Sequence, residues 1–82
     1  MEEMEARRAL RSWVVRRGNT TEEELGDDSG LVADGLINSL DIFDLIAQLE
    51  TLRGAALDMQ ALSGDEFRSI NSLIKAFFKE PA

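Results

Sequence analysis

The chain contains no cysteine and no histidine among its 82 residues. Without cysteine it has no disulfide, no thiolate nucleophile and no zinc site of the usual sulfur-ligated kind. Without histidine it lacks the commonest general base and a common metal ligand. We therefore expect a protein that is not an enzyme in its own right, and we expect no metal site.

A signal peptide and a membrane-spanning run are also missing from the printed sequence. The first residues, MEEMEARRALRSW, are charged, and no apolar run approaches the length needed to cross a bilayer. We expect a cytoplasmic protein without stable membrane insertion. A chain of 82 residues can bury one hydrophobic core but not two, so we interpret residues 1–82 as a single domain and expect a monomer.

Positive charge is scarce outside the first segment. Residues 1–17 carry five arginines and three glutamates, whereas residues 18–66 carry twelve acidic residues and one basic residue, Arg53. Such an acidic segment repels nucleic acid and attracts basic protein surfaces. We therefore expect no nucleic-acid partner. A net charge of −7 also keeps a small protein soluble, so solubility alone is an alternative explanation for the excess of acidic residues.

Helical periodicity is the main structural signal. Apolar residues recur at helical spacing in three sets: Ala6, Ala9, Leu10, Trp13 and Val14; Ile42, Leu45, Ile46, Leu49 and Leu52; and Ile70, Leu73, Ile74, Phe77 and Phe78. They predict helices over residues 3–17, 39–53 and 70–79. Each set should form a stripe that faces a common core, and Trp13 should be buried there. No alternating strand pattern is present.

The segments between these helices are rich in turn-forming residues. Residues 18–38 predict a long first loop, with one turn at Thr21, where TEEE fits a capping box. A second capping box, Ser63 with Glu66, predicts a short helical turn before the last helix. The sequence therefore predicts an all-α bundle of three longer helices, one short helix and a long first loop.

The predicted second helix has three faces. One face is the core stripe formed by the apolar set from Ile42 to Leu52. The opposite face should be in contact with solvent and consists of Asp41, Asp44, Gln48 and Thr51. Leu40, Phe43 and Ala47 lie between these two faces and should be partly exposed, bordered by Ser39 and Glu50. An apolar strip with acidic borders suits a basic, grooved partner. Alternatively, Phe43 packs under the long loop as part of the core.

Ser39 stands where this helix begins. Asn38 is a suitable N-cap and Asp41 can complete a capping box, which places Ser39 at the first helical position with its hydroxyl free. The positive end of a helix favours an anion, so a phosphodiester could be carried there. From these residues alone, a serine with only a structural role at the start of a helix is more common than a serine that carries a modification.

The segment GLINSLDIFDLIAQLE, residues 35–50, resembles the modification motif of acyl carrier proteins. In that family the serine of an Asp-Ser-Leu triplet opens the second helix of a four-helix bundle and receives the 4'-phosphopantetheine arm of coenzyme A. The chain length, the acidic charge, the long first loop and EFRSINSLIKAF extend the resemblance over nearly the whole chain. The resemblance implies a four-helix bundle of acyl-carrier type with Ser39 as the attachment site.

The resemblance also implies a function and a set of partners. The modified chain would be a phosphoprotein whose arm supplies a thiol, on which acyl groups travel as thioesters in fatty acid, polyketide, lipopeptide or related secondary metabolite biosynthesis. Its partners would be a phosphopantetheinyl transferase, an acyl or aminoacyl ligase, and downstream transferases or synthases. Carried over from the family, the recognition surface comprises Asn38, Leu40, Asp41, Phe43, Asp44, Ala47 and Glu50.

The chain departs from the family pattern at Asn38, which stands where the family usually has aspartate. This removes one carboxylate beside Ser39, although asparagine caps a helix as well as aspartate does. The Gly-Gly pattern typical of peptidyl carrier domains is missing, whereas GLINSL and LDMQALSGDEF look closest to discrete carriers. Two alternatives remain open: a D-alanyl or aminoacyl carrier loaded by an adenylating ligase, and a non-carrier acidic helical binding module.

Overall fold

Three α-helices make up the frame of the computed structural model, which describes residues 2–78. Helix α1 spans Glu3–Arg16, α2 spans Asp41–Arg53 and α3 spans Ile70–Phe77. Two single turns of 3-10 helix, Met59–Ala61 and Asp65–Phe67, lie between α2 and α3. The part of the chain described is thus all-helical, as predicted, and contains no strand.

The short helix predicted before α3 is therefore two separate turns. Asp58 caps the first turn by accepting a hydrogen bond from the backbone N–H of Gln60, at 3.1 Å. Gly64, with a left-handed φ of 99°, precedes the second turn and redirects the chain. The predicted capping box forms in part, because the Glu66 carboxylate accepts the Ser63 N–H at 3.1 Å. The Ser63 hydroxyl donates to the same carboxylate instead of capping the turn.

The ends of the outer helices follow from local chemistry. Helix α1 has glutamates in its first turn and Arg16 in its last, as its dipole favours. It ends one residue before the predicted position, ahead of Gly18, whose φ is 89°. Helix α3 begins after Ser69, whose hydroxyl oxygen accepts a hydrogen bond from the backbone N–H of Ser72 at 3.1 Å. Helix α3 ends at Phe77, and Phe78 has left the helical conformation, so the helix is shorter than the predicted range of 70–79. Residue 79 itself lies outside the described residues.

The buried apolar side chains form one cluster that draws on all three helices and on the long first loop, residues 17–40. Its members are Ala6, Leu10, Trp13, Val14, Leu25, Leu31, Ile37, Leu45, Leu49, Leu57, Phe67, Ile70, Leu73 and Ile74. Trp13 is 8% exposed, which confirms its predicted place in the core. Ile42, Ile46 and Leu52 pack against the cluster while remaining partly buried, so the core stripe of α2 is as predicted.

A polar network fastens the long first loop to α1 and α3. The Asp27 carboxylate accepts hydrogen bonds from Arg7, at 2.9 Å, and from Arg11. Its backbone carbonyl accepts the N–H of Asn71 at 2.9 Å, and the Asn71 amide oxygen accepts a bond from Arg7. These contacts join residues up to 64 positions apart, and no local sequence pattern predicts them. The network fixes the loop that leads into α2.

Within residues 2–78, no helix combines the length and the apolar character needed to cross a lipid bilayer.

Candidate functional site

A reciprocal capping box closes the start of α2. The Asn38 side-chain oxygen accepts a hydrogen bond from the backbone N–H of Asp41 at 3.0 Å. The Asp41 carboxylate accepts one from the backbone N–H of Asn38, also at 3.0 Å. Both bonds are those expected of a capping box, so the predicted cap at Asn38 is confirmed.

The regular α-helix begins two residues later than predicted, at Asp41 instead of residue 39. Ser39 and Leu40 lie in a tighter turn, in which the N–H of Asp41 reaches the carbonyl of Asn38 at 3.0 Å. The N–H of Phe43 likewise reaches the carbonyl of Leu40 at 3.2 Å. Bonds between residues three apart wind the backbone as a 3-10 turn, which explains the later start.

Ser39 is exposed at this turn. Because Asn38 and Asp41 provide the cap, the Ser39 hydroxyl is not needed to start the helix. The first backbone N–H groups of a helix have no partner within it, and those of Ser39 and Leu40 belong to this set. The site therefore combines a free hydroxyl with N–H groups that favour negative charge.

An exposed apolar strip adjoins Ser39. Leu40 is 74% exposed and Phe43 is 68% exposed, and Ala47 is also exposed one turn further along. The strip is therefore more open than the helical pattern predicts, and the alternative that Phe43 packs under the loop is wrong. Two large apolar side chains this exposed on one helix face are typical of an interaction surface.

The acidic border of the strip differs from the prediction at its far end. The Asp44 side chain is 66% exposed, whereas that of Asp41 is 20% exposed because it caps the helix. Glu50 is half-buried, and one of its carboxylate oxygens accepts the backbone N–H of Leu57 at 2.9 Å. Glu50 thus holds the chain that follows α2, and Asp44 is the most available carboxylate of the border.

Arg17 lies beside this border, which the sequence analysis missed. One guanidinium nitrogen is 3.9 Å from an Asp41 carboxylate oxygen, and another is 3.7 Å from one of Asp44. The guanidinium carbon also lies 4.0 Å from the centroid of the Trp13 ring. Arginines at the end of α1 are evident in the sequence, but their pairing across the long first loop is not.

An apolar groove of about 450 Å³ opens near the same end of α2. Its lining consists of Val32, Ala33, Ile42, Gly64, Phe67 and Arg68. The groove lies close to Ser39, because the N–H of Ile42 donates to the Ser39 carbonyl at 3.4 Å. Three separate segments form it, so no local sequence pattern indicated it. Arg68 provides its only charged group.

The described residues contain no group of three or more carboxylates placed to hold a metal ion. No family model matches this chain, and no curated protein matches it. Function must therefore be inferred from the residues around Ser39.

Proposed function

We propose that this protein is a discrete acyl carrier protein, which carries acyl intermediates as thioesters on a 4'-phosphopantetheine arm attached to Ser39. The observation that carries the proposal is the exposed Ser39 at the start of a helix that Asn38 and Asp41 cap without it, followed by exposed Leu40 and Phe43. In this proposal the chain is a cytoplasmic monomer that serves enzymes of fatty acid, polyketide, lipopeptide or related secondary metabolite biosynthesis as a substrate and shuttle.

The proposal includes a four-helix bundle of acyl-carrier type. Helices α1, α2 and α3 would be its three longer helices, and the turns Met59–Ala61 and Asp65–Phe67 would occupy the place of its short third helix. The long first loop, held to α1 and α3 through Asp27, supports this reading because it brings Ser39 to the surface at the start of α2.

The residues at Ser39 fit attachment of the arm. In the attachment step, the Ser39 oxygen would bond to the phosphorus next to the pantetheine of coenzyme A. The bond from that phosphorus to the nucleotide phosphate would break, and the hydroxyl proton would pass to a base of the transferase. The unpaired N–H groups at the start of α2 would stabilise the negative charge of the resulting phosphodiester. Once attached, the arm supplies the thiol that this chain lacks.

Leu40, Phe43 and Ala47 are proposed as the apolar part of the docking surface, with Asp44 as its principal charge. A phosphopantetheinyl transferase, an acyl or aminoacyl ligase and the downstream transferases or synthases would dock there in turn. A partner with an apolar pocket and nearby basic side chains complements this surface. Glu50 contributes less than the resemblance implies, because it also bonds the chain after α2.

The groove beside Ile42 favours an acyl cargo over an aminoacyl one. Its lining is apolar except for Arg68, and a hydrocarbon chain gains free energy by leaving water for such a surface. The ammonium group of an aminoacyl or D-alanyl thioester would gain little there, because the apolar lining offers it no carboxylate and Arg68 is itself paired with Asp65 at 3.0 Å. This supports the acyl carrier over the aminoacyl alternative.

Mass spectrometry tests the proposal directly. Purified protein is incubated with coenzyme A and a broad-specificity phosphopantetheinyl transferase, and we expect the wild type to gain the mass of one phosphopantetheine. Ser39→Ala should gain none, whereas Ser12→Ala, which removes an exposed hydroxyl from α1, should be modified like the wild type. An unmodified wild type, or an adduct on Ser39→Ala, would contradict the proposal.

Exposed Leu40 and Phe43 also suit a second function, that of an acidic helical binding module in which Ser39 is not modified. The same experiment separates the two, because a binding module gains no mass.

A further inference from the structure

Arg17 occupies the position that a partner's basic side chain would take on the proposed docking surface. Among residues 2–78 it is the basic residue whose guanidinium lies within 4 Å of carboxylates of both Asp41 and Asp44, at 3.9 and 3.7 Å. These distances exceed those of hydrogen bonds, so the attraction is an ion pair without directional bonding. Such a contact can be exchanged for another cation at little cost.

Two features hold Arg17 in this place. Its backbone N–H donates to the Val14 carbonyl at 3.0 Å and so continues the end of α1. Its guanidinium stacks on Trp13, which is itself 8% exposed and fixed in the core. A cation placed over an indole ring is attracted to the ring face. These contacts hold the charge of Arg17 beside the acidic border, while 31% of its side chain remains exposed to solvent.

We propose that Arg17 is a specificity-determining residue of the docking surface, because it competes with the partner's basic side chain for Asp41 and Asp44. This inference rests on the proposed function. A partner that brings an arginine or lysine to Asp44 while its apolar pocket takes Leu40 and Phe43 displaces Arg17. A partner that offers only an apolar pocket, or only diffuse positive charge, meets a pair of carboxylates whose charge Arg17 already offsets in part.

Two substitutions of Arg17 and one matched control test the inference. Arg17→Gln removes the charge, and Arg17→Met removes it while keeping an apolar stem over Trp13. Arg16→Gln also removes one positive charge from the last turn of α1, where Arg16 is exposed. Arg16→Gln therefore changes the net charge equally without removing the contact to Asp41 and Asp44. Circular dichroism establishes that each variant is folded.

The measurement is the initial rate at which a phosphopantetheinyl transferase and coenzyme A convert each variant, at low and high salt. At low salt, Arg17→Gln and Arg17→Met should be converted about two- to fivefold faster than Arg16→Gln, the range set by an exposed ion pair. The difference should shrink as salt screens the competing charges. In an Asp44→Asn background, the gain from Arg17→Gln should be smaller.

Three results would overturn the inference. If both Arg17 variants are converted at the rate of Arg16→Gln, the contact has no role in docking. If they are slower, Arg17 positions the start of α2 or binds coenzyme A. An unmodified wild type contradicts the proposed function itself and the inference with it. Should Arg17→Gln fail to fold, Arg17→Met alone decides between these outcomes.

Discussion

Truncation of Phe43 should impair docking while leaving the fold intact. Because 68% of this residue is exposed, Phe43→Ala removes little that the core depends on. Surface substitutions of this kind typically change the free energy of unfolding by less than about 0.5 kcal/mol. A partner that covers the ring, in contrast, gains the free energy of burying the part that is now in water.

The size of that gain follows from the exposure. Complete burial of a phenylalanine side chain is worth about 1.5–3 kcal/mol. With 68% of the residue still to be buried, the partner gains about 1–2 kcal/mol, which is roughly a five- to thirtyfold effect on kcat/KM. Leu40 is exposed to a similar degree and should behave alike.

The assay is the rate of phosphopantetheine transfer to Ser39 as a function of the concentration of this protein, alongside urea unfolding. Met4→Ala is the matched control, because Met4 is 74% exposed in the first turn of α1, at the opposite end from Arg17 and its contact with Asp44 of α2. Phe43→Ala should lower kcat/KM about five- to thirtyfold with an unchanged unfolding midpoint, whereas Met4→Ala should leave both unchanged. A Phe43→Ala variant that is converted as fast as Met4→Ala, or one that unfolds, would refute this reasoning.

Two further predictions concern stability. Trp13→Ala should cost about 3–5 kcal/mol in urea unfolding, a large part of the roughly 5–15 kcal/mol available to a small domain, and an unchanged midpoint would show that Trp13 is not in the core. The pKa of Glu66 is lowered by hydrogen bonds from its own backbone N–H and that of Ser63, together with the Ser63 hydroxyl. Folding therefore favours the ionised carboxylate, and this stabilisation is present above the ordinary carboxyl pKa and is lost as the pH falls through the lowered one. Thermal unfolding is measured above the ordinary carboxyl pKa and again below the lowered pKa of Glu66. Acidification should lower the melting temperature less for Glu66→Gln than for the wild type. Equal decreases would contradict a lowered pKa for Glu66.

The contacts that the sequence predicted are local ones. The spacing of apolar residues identified all three α-helices, and the core stripe through Leu45 and Leu49 followed from it, since residues three and four apart share a helix face. The Asn38–Asp41 capping box was equally accessible, because its two residues are three apart. The angular position of Phe43 on the same helix predicted partial exposure but left burial under the loop as an alternative, and its 68% exposure decides between them.

Contacts that cross the long first loop could not be predicted. The pairing of Arg17 with Asp44 depends on how α1 and α2 approach one another. The groove that Val32 and Phe67 share depends on how the long first loop meets α2 and the segment before α3. The Glu50 bond to Leu57 depends on the turn after α2, which no periodicity describes. Helix geometry alone therefore placed Glu50 at the border of the docking surface and gave no indication that Arg17 lies beside it.

The polar network around Asp27 also bears on the stage of folding at which the long first loop becomes fixed. Its two partners Arg7 and Asn71 lie 64 residues apart, so the loop is fastened only when both ends of the described chain have met. Joining residues so far apart costs more chain entropy than closing a local helical turn, so this network is expected to form later than the local contacts of α2. The loop that leads to Ser39 is thus expected to reach its final position only once α1 and α3 have come together.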